Sequence, residues 1–198
     1  MAKDQKSDCR LPEFPSGAAV PTCQGLHAPT RLNTELVIPR GLFDETLAEL
    51  QARSARWRES AAILCGHVAG SQWIADVAKF YHRLCDDRGR SLSIILAEAA
   101  KFQLYEELNR FQLRLIAGIH THPEDWVDLS WIDQRNQLCS KKGFWSIVVP
   151  WYGQKPWLIE NMGVHIRMSN GWRRLTVGQI RKHVSVTESA SWKAIKIE

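Results

Sequence analysis

His120-Thr121-His122-Pro123, followed by Ser130 and then Asp133, is the stretch whose residue types and spacing are suited to chemistry. If Leu115 to His122 is extended, the two histidines lie two residues apart and project from one face of a strand. Two imidazoles so placed can reach one metal ion. Pro123 stops the strand, because it has no N–H to give to a ladder. Ser130 opens the next helix, and Asp133 lies one turn along on the same face. A strand end and a helix start thereby deliver two nitrogens and one carboxylate to a point. Three protein ligands with a fourth position left for water are the donor set of a catalytic zinc rather than a structural one. Such an ion lowers the pKa of its water to about 7, and hydrolysis then needs a group to shuttle the proton. Glu59 is the candidate, a carboxylate among apolar neighbours at the junction of a helix and a buried strand.

Each residue also has a simpler role open to it. Ser130 can be a helix N-cap and nothing more, a role compatible with catalysis. Asp133 can be a solvated first-turn carboxylate favoured by the helix dipole. Glu59 can be a surface residue at a helix end. His67, His82, His165 and His183 have no partner pattern and read as structural, and Cys65 and Cys139 read as small buried hydrophobes. Trp126 and Trp131 flank the motif loop, and one of them is expected to line a substrate groove.

The elements that must position these residues follow from periodicity. Phe43, Leu47, Leu50 and Trp57 recur at helical spacing after Pro39 and predict a helix ending near Arg58. Ala61 to Gly66 is a short apolar run that reads as a buried strand. Trp73–Tyr81 and Ser91–Leu96 read as further strands, and Leu104, Leu108, Phe111 and Leu115 as one helix face. Leu115 to His120 returns to strand character, Ser130–Cys139 is a short helix, and Trp145–Val149 is another buried strand. Strands around a turn are expected over Trp157–Met168 and Asn170–Trp172, with a closing helix over Val177–His183. Helices mixed with strands predict an α/β or α+β fold.

The 198 residues suit one domain with a tail, and at 44% hydrophobic the chain is too apolar to be wholly disordered. No apolar run approaches the ~20 residues of a spanning helix, so no membrane role is expected. The first residues lack an apolar h-region, and five scattered cysteines suit reduced thiols; a cytoplasmic location is expected. Residues 1–35 are rich in Pro, Gly, Ser and Thr and predict an extended or partly disordered arm, with 36–198 as the folded domain. Cys9, Cys23 and His27 in that arm fit no compact zinc knuckle. The net charge of +5 is carried entirely by residues 161–198, where seven Lys and Arg face Glu188 and Glu198. It reads as a solvated face or a surface for an acidic protein partner, and nucleic acid is not the expected partner.

The spacing of His120, His122, Ser130 and Asp133 resembles the JAMM motif of the JAB/MPN family of zinc metallopeptidases. Members carry an upstream segment like Glu-x-x-Gly-Ile-Leu-x-Gly, and the counterpart here is Glu59-Ser60-Ala61-Ala62-Ile63-Leu64-Cys65-Gly66. Ala62 replaces the usual glycine, a departure of one methyl group. Ile116-Ala117-Gly118-Ile119 ahead of the histidines is also similar. The resemblance implies a curved mixed β-sheet flanked by helices and one zinc ion held by His120, His122 and Asp133. It further implies Glu59 as general base and acid, with Ser130 stabilising the oxyanion. Such enzymes cut after the C-terminal tail of a ubiquitin-like protein, in deconjugation or precursor processing. The residues Gly163-Val164-His165 through Gly171-Trp172-Arg173 look like stand-alone bacterial members, found beside E1-like and E2-like enzymes and in anti-phage defence loci. Two alternatives remain open. One is a JAMM protease that processes a sulfur-carrier protein; the other is a non-catalytic MPN scaffold, which a chain keeping all five residues does not favour.

Overall fold

The structure is a computed structural model that describes residues 32–54, 59–80, 98–135, 137–154 and 157–188. Most of the predicted arm, the strand expected over Ser91–Leu96, the end of the first helix at 55–58, and Cys9, Cys23, His27, His82, Lys193 and Lys196 lie outside these residues. Eight strands form one sheet: β1 (Glu35–Pro39), β2 (Ala61–Ala69), β3 (Gln72–Phe80), β4 (Arg114–Thr121), β5 (Trp145–Val149), β6 (Gly163–Met168), β7 (Gly171–Arg174) and β8 (Val184–Thr187). The helices are α1 (Arg40–Arg53), α2 (Glu98–Arg110), α3 (Trp131–Arg135) and α4 (Val177–His183). The strand order is β7-β6-β5-β4-β2-β3-β1-β8. β1 runs parallel to β3 and β8, and β4 parallel to β5, whereas the other pairs are antiparallel. This is an α+β fold with a mixed sheet flanked by helices.

Strand alternation divides the sheet into two faces. Ala62, Leu64, Ile119, Trp145, Ile147, Val164 and Ile166 point to one side, where Leu42, Phe43 and Leu50 of α1 and Ile180 of α4 close a continuous core. Leu42, Phe43, Thr46 and Leu50 are the buried positions of α1, spaced so that they form one stripe. The extra methyl of Ala62 sits in this core, 1% exposed, so the sheet accommodates it. On the opposite face Leu104 and Leu108 of α2 cover Ile63, Cys65 and Val77. A separate small cluster joins Val127, Leu129 and Val148 under the loop that follows His122.

Two glycines set the close approaches. A Cβ at Gly66 would stand 1.9 Å from the Ile74 carbonyl oxygen, where the register of β2 against β3 shifts by one residue. A Cβ at Gly163 would stand 1.8 Å from the Val127 oxygen, so the loop after His122 lies directly against β6 only because that side chain is missing.

Several elements differ from the periodicity reading. α3 spans five residues and not the ten from Ser130 to Cys139. Leu138 leaves the helical path to pack beside the α2 cluster, and its carbonyl accepts from the Tyr105 hydroxyl at 3.4 Å. α2 stops at Arg110, leaving Phe111 46% exposed, and Leu115 belongs to β4. The strand expected from Trp157 begins only at Gly163, after a 3-10 turn over Ile159–Asn161. β1 and β8 were not foreseen; they are short, and their parallel pairing joins segments almost 150 residues apart. Cys65 is buried as expected, but Cys139 is half-buried. His67 has a partner, Asp76, at 2.6 Å.

Candidate metal centre

β4 lies inside the sheet, paired with β2 on one side and β5 on the other, so its end is fixed from both flanks. His122 falls one residue past the strand, yet its backbone stays pinned. Its N–H donates to the Val149 oxygen and its carbonyl accepts from the Tyr152 N–H, both at 2.8 Å. Trp151 and Tyr152 adopt left-handed φ angles of 52° and 53°, which are costly for bulky residues. The Tyr152 bond to His122 and the Trp151 N–H to the Glu124 oxygen hold this strained turn against the histidine loop.

The side chains converge as the residue types require. His122 Nδ1 lies 2.9 Å from the Trp126 carbonyl oxygen. A carbonyl only accepts, so Nδ1 carries the proton and Nε2 presents a lone pair. The Trp126 ring stacks on the His122 ring at 5.0 Å and 19°. His120 Nε2 lies 3.2 Å from His122 Nε2, and Asp133 Oδ2 lies 3.7 Å and 3.5 Å from those two atoms. Tetrahedral zinc with bonds of about 2.1 Å separates its ligand atoms by about 3.4 Å. Two imidazoles and a carboxylate at these spacings fit such an ion, and they are the one group of three metal-ligating side chains among the described residues.

Asp133 is placed by the start of α3. The Ser130 N–H donates to its Oδ2 at 2.7 Å, and its own N–H donates to Ser130 Oγ at 3.1 Å. Ser130 is therefore an N-cap, as one of its two readings required. Its oxygen accepts there, which leaves its hydroxyl proton free to be donated elsewhere. Burial opposes ionisation of Asp133, but the approach of His120 and His122 and the Ser130 bond overcome it and hold the carboxyl well below the usual carboxylate range. Burial likewise disfavours the His122 cation, yet Asp133, the Trp126 carbonyl and Glu59 together shift its pKa upward.

Glu59 shares a cavity with His120 and Asp133, so the structure brings together the carboxylate and the motif from sixty residues away. Burial is the main cause that pushes its pKa up to about 7; His122 pulls it down and Asp133 adds to the rise. In the metal-free protein a carboxyl poised near neutrality can both take and return a proton. Its place is set by hydroxyls that the sequence reading did not single out. The Ser60 N–H donates to Thr121 Oγ1 at 2.9 Å, and the Thr121 N–H donates to the Ser60 oxygen at 2.9 Å. Ser60 Oγ donates to the Leu50 oxygen at 2.7 Å, and the Ser54 hydroxyl lies 2.8 Å from that of Ser60 and 3.1 Å from that of Thr121. Thr121 stands between the two histidines and Ser60 directly after Glu59, so this buried network fixes both halves of the site to the end of α1. A serine beside the candidate base and a threonine inside His-x-His were the available signals.

Trp126 caps His122 and Trp131 is 67% exposed; the tryptophan that lines the cavity is Trp172. His165 is buried 3.6 Å from Asp128, which also binds Arg174 at 2.9 Å, and burial lowers its pKa.

No family model matches the chain. Among solved structures, it is similar to protein DSY2949 of Desulfitobacterium hafniense, with a TM-score of 0.53 and 15% identity over 78% of this chain and 94% of that one. This likeness shows a shared fold. Also similar are AF2198, a JAB1/MPN domain protein from Archaeoglobus fulgidus (TM-score 0.41, 20% identity, 70% and 93% covered), and a Salinibacter ruber protein (TM-score 0.47, 12% identity, 70% and 87% covered). No helix among the described residues is long and apolar enough to cross a membrane.

Proposed function

We propose that this protein is a JAMM-type zinc metallopeptidase that cuts a peptide or isopeptide bond after the tail of a ubiquitin-like protein. The observation that carries the reading is the convergence of His120 Nε2, His122 Nε2 and Asp133 Oδ2 at zinc-ligand spacing on the cavity that Glu59 lines. His120, His122 and Asp133 would hold one zinc ion, which when bound supplies Lewis acidity for carbonyl polarisation and water activation. Glu59 takes the proton of the attacking water as the new C–O bond forms. It then passes that proton to the amine nitrogen as the C–N bond breaks, so it ends the cycle ionised. The Ser130 hydroxyl donates to the developing oxyanion, a contribution worth ~3 kcal/mol in hydrolases. Trp126 keeps His122 in the tautomer that offers Nε2.

The ubiquitin-like substrate, E1-like and E2-like partner enzymes, a cytoplasmic location and a role in anti-phage defence are supported by the sequence resemblance. A narrow tail can lie beside the sheet as an added strand, main-chain hydrogen bonds carrying it to the site. The test is cleavage of a ubiquitin-like fusion by zinc-loaded protein, compared with Glu59→Ala. The variant should keep its zinc and lose about 10²–10⁴-fold in kcat. Wild-type rates from zinc-loaded Glu59→Ala would overturn the mechanism.

A further inference from the structure

The cavity does not end at the catalytic residues. From Glu59, His120 and Asp133 it continues along the same face of the sheet, and its whole volume, from that end to the extension, is about 110 Å³. Gly118 and Ser146, neighbours across the β4–β5 ladder, form its floor. Ile63, Leu138, Phe144 and Trp172 form its walls. Gly118 is two residues before His120 in β4, so it faces the same side, and its missing side chain recesses the floor. A Cβ there would lie 3.8 Å from the nearest Phe144 ring carbon, an ordinary contact. There is therefore room for additional carbon at this point without a backbone clash. An apolar cavity of roughly 150 Å³ holds a benzene molecule. The whole space here, its catalytic end included, is smaller than that, so the extension has no room for an aromatic ring and is limited to a few aliphatic carbons. A substrate with glycine on both sides of the scissile bond would leave it unfilled, forfeiting the contacts of an apolar wall on one side.

We propose that this extension is a specificity subsite for one short branched aliphatic side chain, valine, isoleucine or leucine, on a substrate residue flanking the bond cut. The assignment rests on the peptidase reading for the word substrate, and on the cavity alone for the chemistry of its occupant. Gly118 is the residue that sets its depth, and Ile63, Leu138, Phe144 and Trp172 set its shape.

Two measurements test it. In the first, the full chain is titrated with leucinamide and followed by NMR, without any turnover. The Gly118 amide and the Trp172 indole N–H should shift with leucinamide, while glycinamide should leave them in place. Gly118→Val, which fills the recess, should weaken the leucinamide response at least tenfold; Gly118→Ala is the milder change should the valine variant fail to fold. Equal shifts with glycinamide, stronger binding of phenylalaninamide, or an unaltered response in the folded variant would overturn the subsite.

In the second, zinc-loaded protein is given tail peptides with Gly, Val, Leu or Phe on either side of the bond. The expectation is a kcat/KM at least tenfold higher for Val or Leu than for Gly at one of the two positions, a preference that Gly118→Ala erases. Cleavage with no aliphatic preference overturns the subsite. A preference confined to lysine-linked isopeptides assigns the space to the lysine stem and also overturns it. Leucinamide binding without cleavage of any peptide overturns the peptidase reading and not the pocket.

Discussion

The two faces of the sheet are built from alternate residues of the same strands, and they are packed differently. Beneath α1 and α4 the side chains of β2, β4, β5 and β6 merge into one core. On the other face the apolar residues separate into the α2 cluster and the small group under the Val127 loop. The cavity lined by Glu59, His120 and Asp133 occupies the gap between those two clusters. A site with a half-buried carboxylate and three converging ligands costs stability, and the fold places it where the packing is already divided. Stability is thus concentrated on one side of strands whose other side carries the candidate metal centre.

Ile147 and Ser146 put that contrast into adjacent residues of β5. Ile147→Ala removes three carbons from the continuous core, where the side chain is 0% exposed, and should cost about 2–5 kcal/mol in denaturant unfolding. Ser146→Ala removes one hydroxyl from the cavity floor and should cost no more than about 1 kcal/mol. Equal losses at the two positions would break the comparison.

Thr121 sharpens it, since this residue belongs to the buried network that crosses from α1 to the site. Thr121→Val keeps the shape but leaves the Ser60 N–H without its acceptor, and should cost about 1–3 kcal/mol by thermal or denaturant unfolding. Zinc affinity should fall with it, because the same residue spaces the two histidines; a stability loss with unchanged affinity would separate the network from the centre.

Glu59 gives a pH-dependent effect of about 2 kcal/mol. Its folded pKa of about 7 lies above the ordinary 4.5, so in metal-free protein the fold disfavours its ionised form. Below pH 4.5 both folded and unfolded states are protonated there. Between 4.5 and 7 the unfolded chain releases a proton that the fold retains, and stability falls as pH rises through that window. Metal-free Glu59→Gln should escape this, gaining about 2 kcal/mol over wild type from pH 4.5 to above 7 in parallel unfolding titrations, after allowance for its partial exposure. A gap that does not change with pH would place Glu59 in water.

The smallest effect concerns the α2 cluster. Burial pushes the Cys65 thiol up to about 12, with Lys79 pulling weakly the other way. Iodoacetamide at pH 8 should therefore label half-buried Cys139 well before Cys65 in the folded protein. Comparable rates would show that this cluster opens readily.

The convergence of His120, His122 and Asp133 was legible because their spacing is local. A period of two puts His120 and His122 on one face, and one helical turn joins Ser130 to Asp133. Glu59 needed the resemblance of its surrounding segment, since nothing local ties it to a motif sixty residues away. Ser54, Ser60 and Thr121 were not legible, because a hydroxyl in a sequence does not show which distant hydroxyl or carbonyl it meets. The same holds for the cavity, whose floor and walls come from β2, β4, β5, β7 and the loops around Leu138 and Phe144. β1 and β8 were missed because long-range parallel pairing leaves no turn between the partners. The five-residue length of α3 was hidden because Leu138, which continues its apolar pattern, is drawn away by the α2 cluster.

His120, His122 and Asp133 are placed to hold one metal ion. Zinc titration of the purified full chain against a chromophoric chelator, repeated with His120→Ala and with Asp133→Ala, tests this most directly. Wild type should bind one equivalent, and each variant should bind at least 100-fold more weakly while remaining folded. A wild-type chain that takes up no zinc, or folded variants that bind it as tightly as wild type, would contradict the assignment.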